Sequence, residues 1–287
     1  MSIYDKDASS LLLAYDKDGS VIDSAYDIDG SVVYTRTPPL GIKIMSYNVG
    51  GWYIGSGSNV PSNMDTTYYN LQNGMLADND PDILCLQEYW TNFSSTRKAQ
   101  SLLEQYFPYI QTQNGYSSYF GRAICSKYPI TNYTTHTYSN ESDRYYDSCT
   151  ITINDQEYTV VTTHLGLNIS NRSQQISELL SFLSNLNKFI VCGDFNTIDC
   201  LSSLGADYTV VIRPILNANY NIANCYRDQS TFKVTYSELP NNDTNNLVLD
   251  NIITSSDLII RSVSVDTTKL TDGINEKVDH MPLIAEI

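Results

Sequence analysis

The chain has 287 residues, enough for one large α/β domain or two small ones with a sizeable buried core. It carries 32 acidic and 17 basic residues, a formal net charge of −15, which argues against binding nucleic acid through bulk electrostatic attraction. No apolar stretch is long enough to span a membrane or to serve as a signal peptide, so we expect a cytoplasmic protein.

The cysteines point to the same kind of compartment. Four of them lie inside apolar, strand-like runs, where cysteine behaves as a small buried hydrophobic residue. No C-x-x-C pair occurs in the sequence, so a zinc site and a disulfide framework are both disfavoured, and a reducing environment fits better. The four are Cys85, Cys125, Cys149 and Cys192.

The segment 1–36 contains three copies of an eleven-residue unit, which start at Tyr4, Tyr15 and Tyr26. Each unit places a turn signal beside a short aliphatic or β-branched run, a pattern that predicts small hairpins or the rungs of a β-solenoid. The D-x-D-G fragment of the units lacks the remaining ligands of a calcium loop. We therefore interpret the segment as a docking or oligomerisation element, forming a homo-oligomer or joining a larger assembly.

Tyr-Asp repeats of this kind resemble those of bacterial surface and phage tail-associated proteins. The resemblance implies a bacterial or phage source, and it adds a virion- or surface-associated setting as an alternative to a cytoplasmic one. Residues 37–41, with their Pro38-Pro39 pair, are predicted to be a linker, and residues 42–287 a second domain.

From residue 42 onward, short runs rich in Ile, Val and Thr alternate with a few helical stretches. Helices are predicted over 66–79 and 171–186, the second with a start signal at Asn171. Many strands and few helices favour an α/β fold in which two packed sheets are covered by helices. The predicted strands are 42–49, 82–89, 121–128, 148–153, 158–165, 188–195, 247–254 and 281–287.

Polar side chains lie at the margins of several predicted strands. One such residue alone is usually a turn or cap residue, but the whole set predicts chemistry at one edge of the fold. The chain has three histidines, and two of them belong to the set. Its members are Asn48, Glu88, His164, Asp194, Asn196, Asp250, Asp279 and His280.

These groups suit metal-assisted attack on a phosphate ester. Asn48, Glu88 and Asp279 offer hard oxygen ligands for Mg²⁺ or Mn²⁺. A carboxylate such as Asp250 can orient the imidazole of His280 for proton transfer. In the sequence Gly-Asp-Phe-Asn, Asp194 can position and activate the attacking water while Asn196 donates to a phosphate oxygen.

The motif blocks resemble, in order, those of the endonuclease/exonuclease/phosphatase superfamily, which includes deoxyribonuclease I. The resemblance covers residues 41–287 and implies a four-layer α/β sandwich of two packed mixed sheets flanked by helices. It implies a metal near Glu88 and Asn48, with His164 at the phosphate. It also implies the water-positioning and histidine-orienting roles described above. The blocks read MSYNVGGW, PDILCLQEYW, GRAICSKYPI, TTHLGLN, VCGDFNT, LDNIITS and VDHMPL.

Three further residues are predicted to bind the substrate. Arg144 precedes a strand at which relatives of the deoxyribonuclease I type place a phosphate-contacting arginine. Tyr119 resembles the active-site tyrosine of abasic endonucleases, with Tyr145 as a competitor, and Arg122 is a further cation near the motif blocks. One departure concerns His164, because no glutamate precedes the third strand to pair with it as in deoxyribonuclease I-like proteins.

The superfamily implies phosphoester hydrolysis and leaves the substrate open. We expect a Mg²⁺- or Mn²⁺-dependent nuclease that acts on DNA. The alternatives are a phosphatase or phosphodiesterase acting on lipid or inositol phosphates, and a non-catalytic binding module tethered by the N-terminal repeats.

Overall fold

The chain divides into two compact units, Met1–Leu40 and Gly41–Ile287. The computed structural model describes residues 14–15, 21–22, 24–26, 32–35, 41–50, 64–89, 99–113, 121–141, 143–197, 205–224, 235–237, 246–268 and 280–287. Within these ranges, no helix is both long and apolar enough to cross a membrane.

The first unit contains two antiparallel strand pairs. Strand β1 (Ala14–Tyr15) pairs with β2 (Val21–Ile22), and β3 (Ser24–Tyr26) pairs with β4 (Val32–Thr35). Antiparallel pairing of strands that are neighbours in sequence is the geometry of hairpins. The docking role of residues 1–36 stays a prediction.

The second unit is built from two six-stranded mixed sheets with helices on their outer faces. In chain order its elements are β5 (Lys43–Asn48), α1 (Met64–Asn79), β6 (Ile83–Tyr89), α2 (Ala99–Leu103), β7 (Tyr109–Gln113), β8 (Gly121–Ser126), β9 (Ile130–Thr137), β10 (Tyr145–Ile153), β11 (Gln156–His164), α3 (Ile169–Leu183), β12 (Phe189–Asp194), a π-helical turn (Tyr208–Ile212), α4 (Arg213–Asn217), β13 (Asn221–Ile222), β14 (Tyr236–Ser237), β15 (Asn246–Leu247), β16 (Asp250–Thr254), β17 (Ser262–Val265) and β18 (Leu283–Glu286).

The first sheet has the strand order β17-β18-β5-β6-β8-β7 and the second the order β13-β16-β12-β11-β10-β9. Each sheet has one parallel pair, β5 with β6 and β11 with β12, and these central strands pack against one another. A small separate pair joins β14 to β15. The predicted four-layer α/β sandwich is confirmed.

Side-chain alternation along the strands produces the layers. Along β5, Met45 and Tyr47 face α1 and α2, where they join a buried apolar cluster, while Ser46 and Asn48 face the other sheet. A second cluster packs Ile176 and other apolar residues of α3 onto the outer face of the second sheet. The four cysteines predicted to lie in strands are free and buried.

Three local predictions need correction. The helix predicted to start at Asn171 begins at Ile169, because the side chain of Asn168 caps it by accepting from the backbone N–H of Ser170 at 2.9 Å. The single strand predicted over 247–254 is split into β15 and β16. Strands β7 and β9 were not predicted; both are sheet edges with polar, partly exposed side chains, which weakens the hydrophobic periodicity.

Candidate active site

The parallel strand pairs bring four predicted site residues to one end of the sandwich. Asn48, Glu88, His164 and Asp194 lie at or near the carboxyl ends of β5, β6, β11 and β12. The register pairs His164 with Asp194, and the antiparallel strand β16 places Asp250 beside Asp194 as well. Because the central strands of the two sheets pack together, side chains from both sheets meet at this end.

The carboxylate of Asp194, which is 1% exposed, lies at the centre of this group. Its Oδ2 accepts a hydrogen bond from Nδ2 of Asn48 at 2.9 Å and lies 3.3 Å from Nε2 of His164 and 3.5 Å from Nε2 of His280. The same Asn48 nitrogen donates to Oε1 of Glu88 at 3.1 Å. The structure thus joins both sheets through one buried polar cluster.

His280 and Asp250 form a buried pair, with Nδ1 of the imidazole 2.8 Å from Oδ2 of the carboxylate. A carboxylate accepts here, so Nδ1 carries the proton and Nε2 faces the Asp194 side of the site. In this arrangement Nε2 is the nitrogen that can exchange a proton with a reacting group.

Two backbone irregularities aim site residues. Glu88 has a φ of +51° and sits at a bulge, where the pairing of β6 with β8 shifts between Gln87 and Tyr89. A bulge turns one extra side chain toward the same side as its neighbour, here into the cluster. Asn196 has a φ of +50°, a conformation that asparagine tolerates well.

Asn196 therefore does not continue β12, as an alternating strand would require. The strand ends at Asp194, and the left-handed turn brings the backbone N–H of Asn196 to Oδ1 of Asp194 at 2.9 Å. Its side-chain Nδ2 donates to the carbonyl of Leu165 at 2.8 Å, just beyond His164. Asn196 thus connects the Asp194 and His164 segments.

Burial sets the electrostatics of the cluster. Burial, together with the nearby charge of Arg144, holds the pKa of His164 well below its ordinary value, so that His164 is a neutral imidazole near pH 7. Burial raises the pKa of Asp194 to about 6, although the charge of His280 opposes the shift. A buried carboxylate with a pKa near neutrality is typical of groups that exchange protons in active sites.

Two of the predicted substrate-binding residues are described, and both are buried. Arg144 is 5% exposed, with its Nε 3.9 Å from Oε1 of Glu141. Arg122 points between the sheets, where its Nε donates to Oδ2 of Asp147 at 2.8 Å and its guanidinium lies over the ring of Tyr145. Tyr119 and the predicted metal ligand Asp279 lie outside the described residues.

The donor set fits a hard divalent cation. Two carboxylates, Glu88 and Asp194, accept from Nδ2 of Asn48, whose Oδ1 accepts from the backbone N–H of Gly50 at 3.0 Å. Carboxylate and amide oxygens are the ligand types that such ions prefer. Asp194, Asp250 and His280 each offer an atom within 4.8 Å of the others. Within the described ranges, Oδ1 of Asp250 is buried without a hydrogen-bond partner. No thiolate takes part in either group, so Mg²⁺ or Mn²⁺ suits this chemistry better than zinc.

Residues 45–272 match the profile of the Endonuclease/Exonuclease/phosphatase family. The chain belongs to this family. The endonuclease/exonuclease/phosphatase enzymes are typically phosphoesterases that depend on divalent metals. A comparison with curated proteins found no match.

Solved structures of the family share the fold at low sequence identity. Truncated TDP2 of Caenorhabditis elegans is 16% identical with a TM-score of 0.63, covering 85% of this chain and 96% of its own. The human nocturnin catalytic domain is 20% identical with a TM-score of 0.61, and the match covers 87% of this chain and 94% of the nocturnin domain. An endonuclease/exonuclease/phosphatase family protein of Bacteroides thetaiotaomicron is 14% identical with a TM-score of 0.65, and the match covers 87% of this chain and 98% of that protein.

Sequence reasoning missed several residues that hold the site. Asp147 is the one acidic residue of β10, just before the strand predicted over 148–153, and it proves to be the partner of Arg122. Glu141 accepts from Gln175 of α3 at 3.0 Å, which no local pattern indicates. Thr235 lies in a stretch without periodicity, and only its contacts reveal it.

Proposed function

We propose that the protein is a divalent-metal-dependent phosphodiester hydrolase that acts on nucleic acid, with DNA as the first candidate substrate. The observation that carries the proposal is the buried carboxylate of Asp194. Its Oδ2 lies 2.9 Å from Nδ2 of Asn48, 3.3 Å from Nε2 of His164 and 3.5 Å from Nε2 of His280. A carboxylate with two imidazoles at one end of the sandwich supplies the groups that hydrolysis of a phosphoester requires.

The geometry supports the following roles. Asp194 positions the attacking water and, with a pKa near 6, can accept its proton. His280, oriented by Asp250, presents Nε2 for a hydrogen bond to the phosphate or for proton transfer. His164 is neutral, so it donates a hydrogen bond to a phosphate oxygen without adding a charge to the site.

Asn196 and Arg144 complete the substrate contacts. The amide of Asn196 has two N–H groups; one is bound to the carbonyl of Leu165, and the second can donate to a phosphate oxygen. Burial and the charge of Arg144 lower the pKa of His164, so a phosphate bound at His164 would also feel the attraction of this guanidinium.

Asn48, Glu88 and Asp279 would hold the divalent ion, with Mg²⁺ or Mn²⁺ as the favoured species. Such an ion, when bound, neutralises phosphate charge and polarises the ester. It also offers a reason why a chain with a net charge of −15 can act on a polyanion: the charge that attracts the phosphate is local.

One observation supports a nucleic acid as the first candidate, and two support an oxyanion group in the substrate. The family name covers two nuclease activities, and two guanidiniums, Arg122 and Arg144, act on His164 at the centre of the site. The human nocturnin catalytic domain, which shares the fold, was solved with a bound sulfate, a tetrahedral oxyanion like phosphate.

The site is tested by Asp194→Asn and His280→Asn. Each is expected to lower Mg²⁺-dependent hydrolysis of a generic phosphodiester by about a hundredfold or more, since general acid–base groups contribute 10²–10⁴-fold. The matched controls are Asp155→Asn, in an exposed turn, and His136→Gln, whose imidazole is stacked on Tyr146 in the second sheet. Equal activity of the site variants and the controls would contradict the assignment.

The substrate class is tested on the wild-type protein. Supercoiled plasmid is incubated with Mg²⁺ in the presence and absence of EDTA, beside assays for release of phosphocholine and inorganic phosphate from lipid substrates. Nicking that EDTA abolishes is the expected result. Intact plasmid together with lipid cleavage would replace the nuclease proposal by the lipid one, and no hydrolysis of any ester would favour the binding module.

A further inference from the structure

Thr235 is fully buried beside the start of β16, outside every motif block of the sequence. Its Oγ1 accepts hydrogen bonds from the backbone N–H groups of Leu249 and Asp250, both at 3.0 Å. One hydroxyl thus satisfies two neighbouring buried donors at the point where the strand that carries Asp250 begins. Buried backbone N–H groups need such partners, because leaving one unsatisfied is costly.

The backbone of Thr235 holds the other half of the histidine pair. Its carbonyl accepts from the N–H of Met281, the residue after His280, at 2.7 Å, and its own N–H donates to the carbonyl of Leu247 at 3.0 Å. Thr235 is therefore bonded on one side to Asp250 itself and on the other to the neighbour of His280.

The segment that Thr235 fixes is also tied to the Asp194 side of the site. The carbonyl of Leu249 accepts from the N–H of Phe195 at 2.8 Å, and the carbonyl of Val248 accepts from Oγ1 of Thr197 at 2.7 Å. These bonds hold the chain directly after Asp194, which lies just before Phe195. A displacement at Thr235 would thus reach both the Asp250–His280 pair and the water-positioning carboxylate.

We propose that Thr235 is a positioning residue of the active site, which sets the distance and direction of the Asp250–His280 hydrogen bond. The physical reason lies in the carboxylate of Asp250. Within the described ranges, its Oδ1 has no hydrogen-bond partner, so its orientation depends on its backbone and on the single hydrogen bond that Oδ2 accepts from Nδ1 of His280. The hydroxyl of Thr235 holds that backbone, and the inference rests on the proposed function of the site.

The test compares Thr235→Val, which keeps the shape and removes the acceptor, with Thr235→Ser, which keeps the acceptor. We expect Thr235→Val to lower kcat about tenfold, equal to about 1.4 kcal/mol of transition-state stabilisation, with KM changed by less than about twofold. Thr235→Ser should retain a kcat within about threefold of wild type, because it still satisfies both N–H groups.

Thr254→Val is the matched control for a purely structural loss. Thr254 is as buried as Thr235 and lies in β16, at the end of the strand away from Asp250. Its Oγ1 donates to the carbonyl of Leu258 at 2.5 Å. Its loss should lower the unfolding midpoint in urea but leave kcat unchanged. Equal losses of kcat in Thr235→Val and Thr254→Val would overturn the inference.

A second readout does not depend on the substrate. The chain has three histidines, so the imidazole ¹⁵N signals of a histidine-labelled protein can be assigned one by one. The Nδ1 signal of His280 should shift in Thr235→Val and stay unchanged in Thr254→Val. An unchanged signal in Thr235→Val overturns the inference even if the wild type hydrolyses phosphoesters, whereas an inactive wild type with the expected shift contradicts only the proposed function.

Coupling to Asp250 provides the final comparison. If Thr235 acts through the carboxylate of Asp250, the double variant Thr235→Val/Asp250→Asn should have nearly the same kcat as Asp250→Asn alone. Full additivity of the two losses would show that Thr235 acts elsewhere and would overturn the inference.

Discussion

At the scale of single residues, the most informative one is Arg122. Its side chain is 2% exposed and ion-paired with Asp147, whose other oxygen, Oδ1, accepts from Oγ1 of Thr135 at 2.6 Å. The guanidinium packs on Tyr145, and its charge is among the causes that lower the pKa of His164. This placement favours a role in which the charge of Arg122 acts on His164 without touching the substrate.

Arg122→Met is therefore expected to act mainly on stability. It leaves the carboxylate of Asp147 buried without its cation, and breaking a buried ion pair on one side costs about 3–5 kcal/mol. Urea unfolding measures the loss, with Arg213→Met, at an exposed arginine of α4, as a control that should change stability by about 0.5 kcal/mol or less.

The double variant Arg122→Met/Asp147→Leu separates the two interpretations of Arg122. Removing both charges should recover much of the stability lost in the single variant, because no buried charge is left unpaired. A large rise in KM with unchanged stability in Arg122→Met would instead support direct substrate contact.

At the scale of elements, α3 does more than cover the second sheet. Its polar edge clamps the loop that follows His164: Arg172 donates from Nη1 to the carbonyl of Leu167 at 2.6 Å, and Gln175 accepts from the N–H of Gly166 at 2.8 Å. Arg172 is itself held by the buried carboxylate of Asp207 at 2.5 Å. A Cβ at position 166 would meet the carboxylate of Glu141, which would then have to move.

Gln175→Met tests this clamp. The variant leaves the N–H of Gly166 and the carboxylate of Glu141 without one partner each, so we expect a loss of about 1–3 kcal/mol in stability. KM should rise several-fold as well, because Glu141 is the residue that faces Arg144.

Gln174→Met is the natural control, since Gln174 is the exposed neighbour on the same helix and bonds only surface groups, Ser139 and Glu178. Urea unfolding and steady-state kinetics on the two variants decide the matter. Equal behaviour of the two would mean that the buried amide does not support the site.

At the scale of the whole molecule, the chain consists of two compact units with different construction. The second unit has its own two apolar clusters, one on each side of the packed sheets. A unit with its own cores is expected to fold and act without the other. The eleven-residue repeats lie in the first unit, for which we propose docking or oligomerisation.

Deletion of residues 1–36 should accordingly leave kcat and KM for a phosphodiester unchanged, while the sedimentation mass falls to that of a smaller assembly. Analytical ultracentrifugation of the full chain and the deletion variant provides the measurement. A change in mass no larger than the deleted segment would remove the oligomerisation proposal.

The sequence by itself determined the family, the two-sheet architecture and the identity of most polar groups at the site. These are local properties: a strand shows itself by the alternation of its side chains, and a motif block by the few residues around it. Asn48, Glu88, His164 and Asp194 could be named in advance because each marks or adjoins the end of such a strand.

Only the tertiary structure decided how these groups are held. The bulge that turns Glu88 inward, the left-handed turn at Asn196 and the pairing of Arg122 with Asp147 all depend on partners far away in the chain. Thr235 is the clearest case, because a threonine in an aperiodic stretch gives no local signal. Its importance comes from the backbone groups of Asp250 and Met281, which the fold alone brings to it.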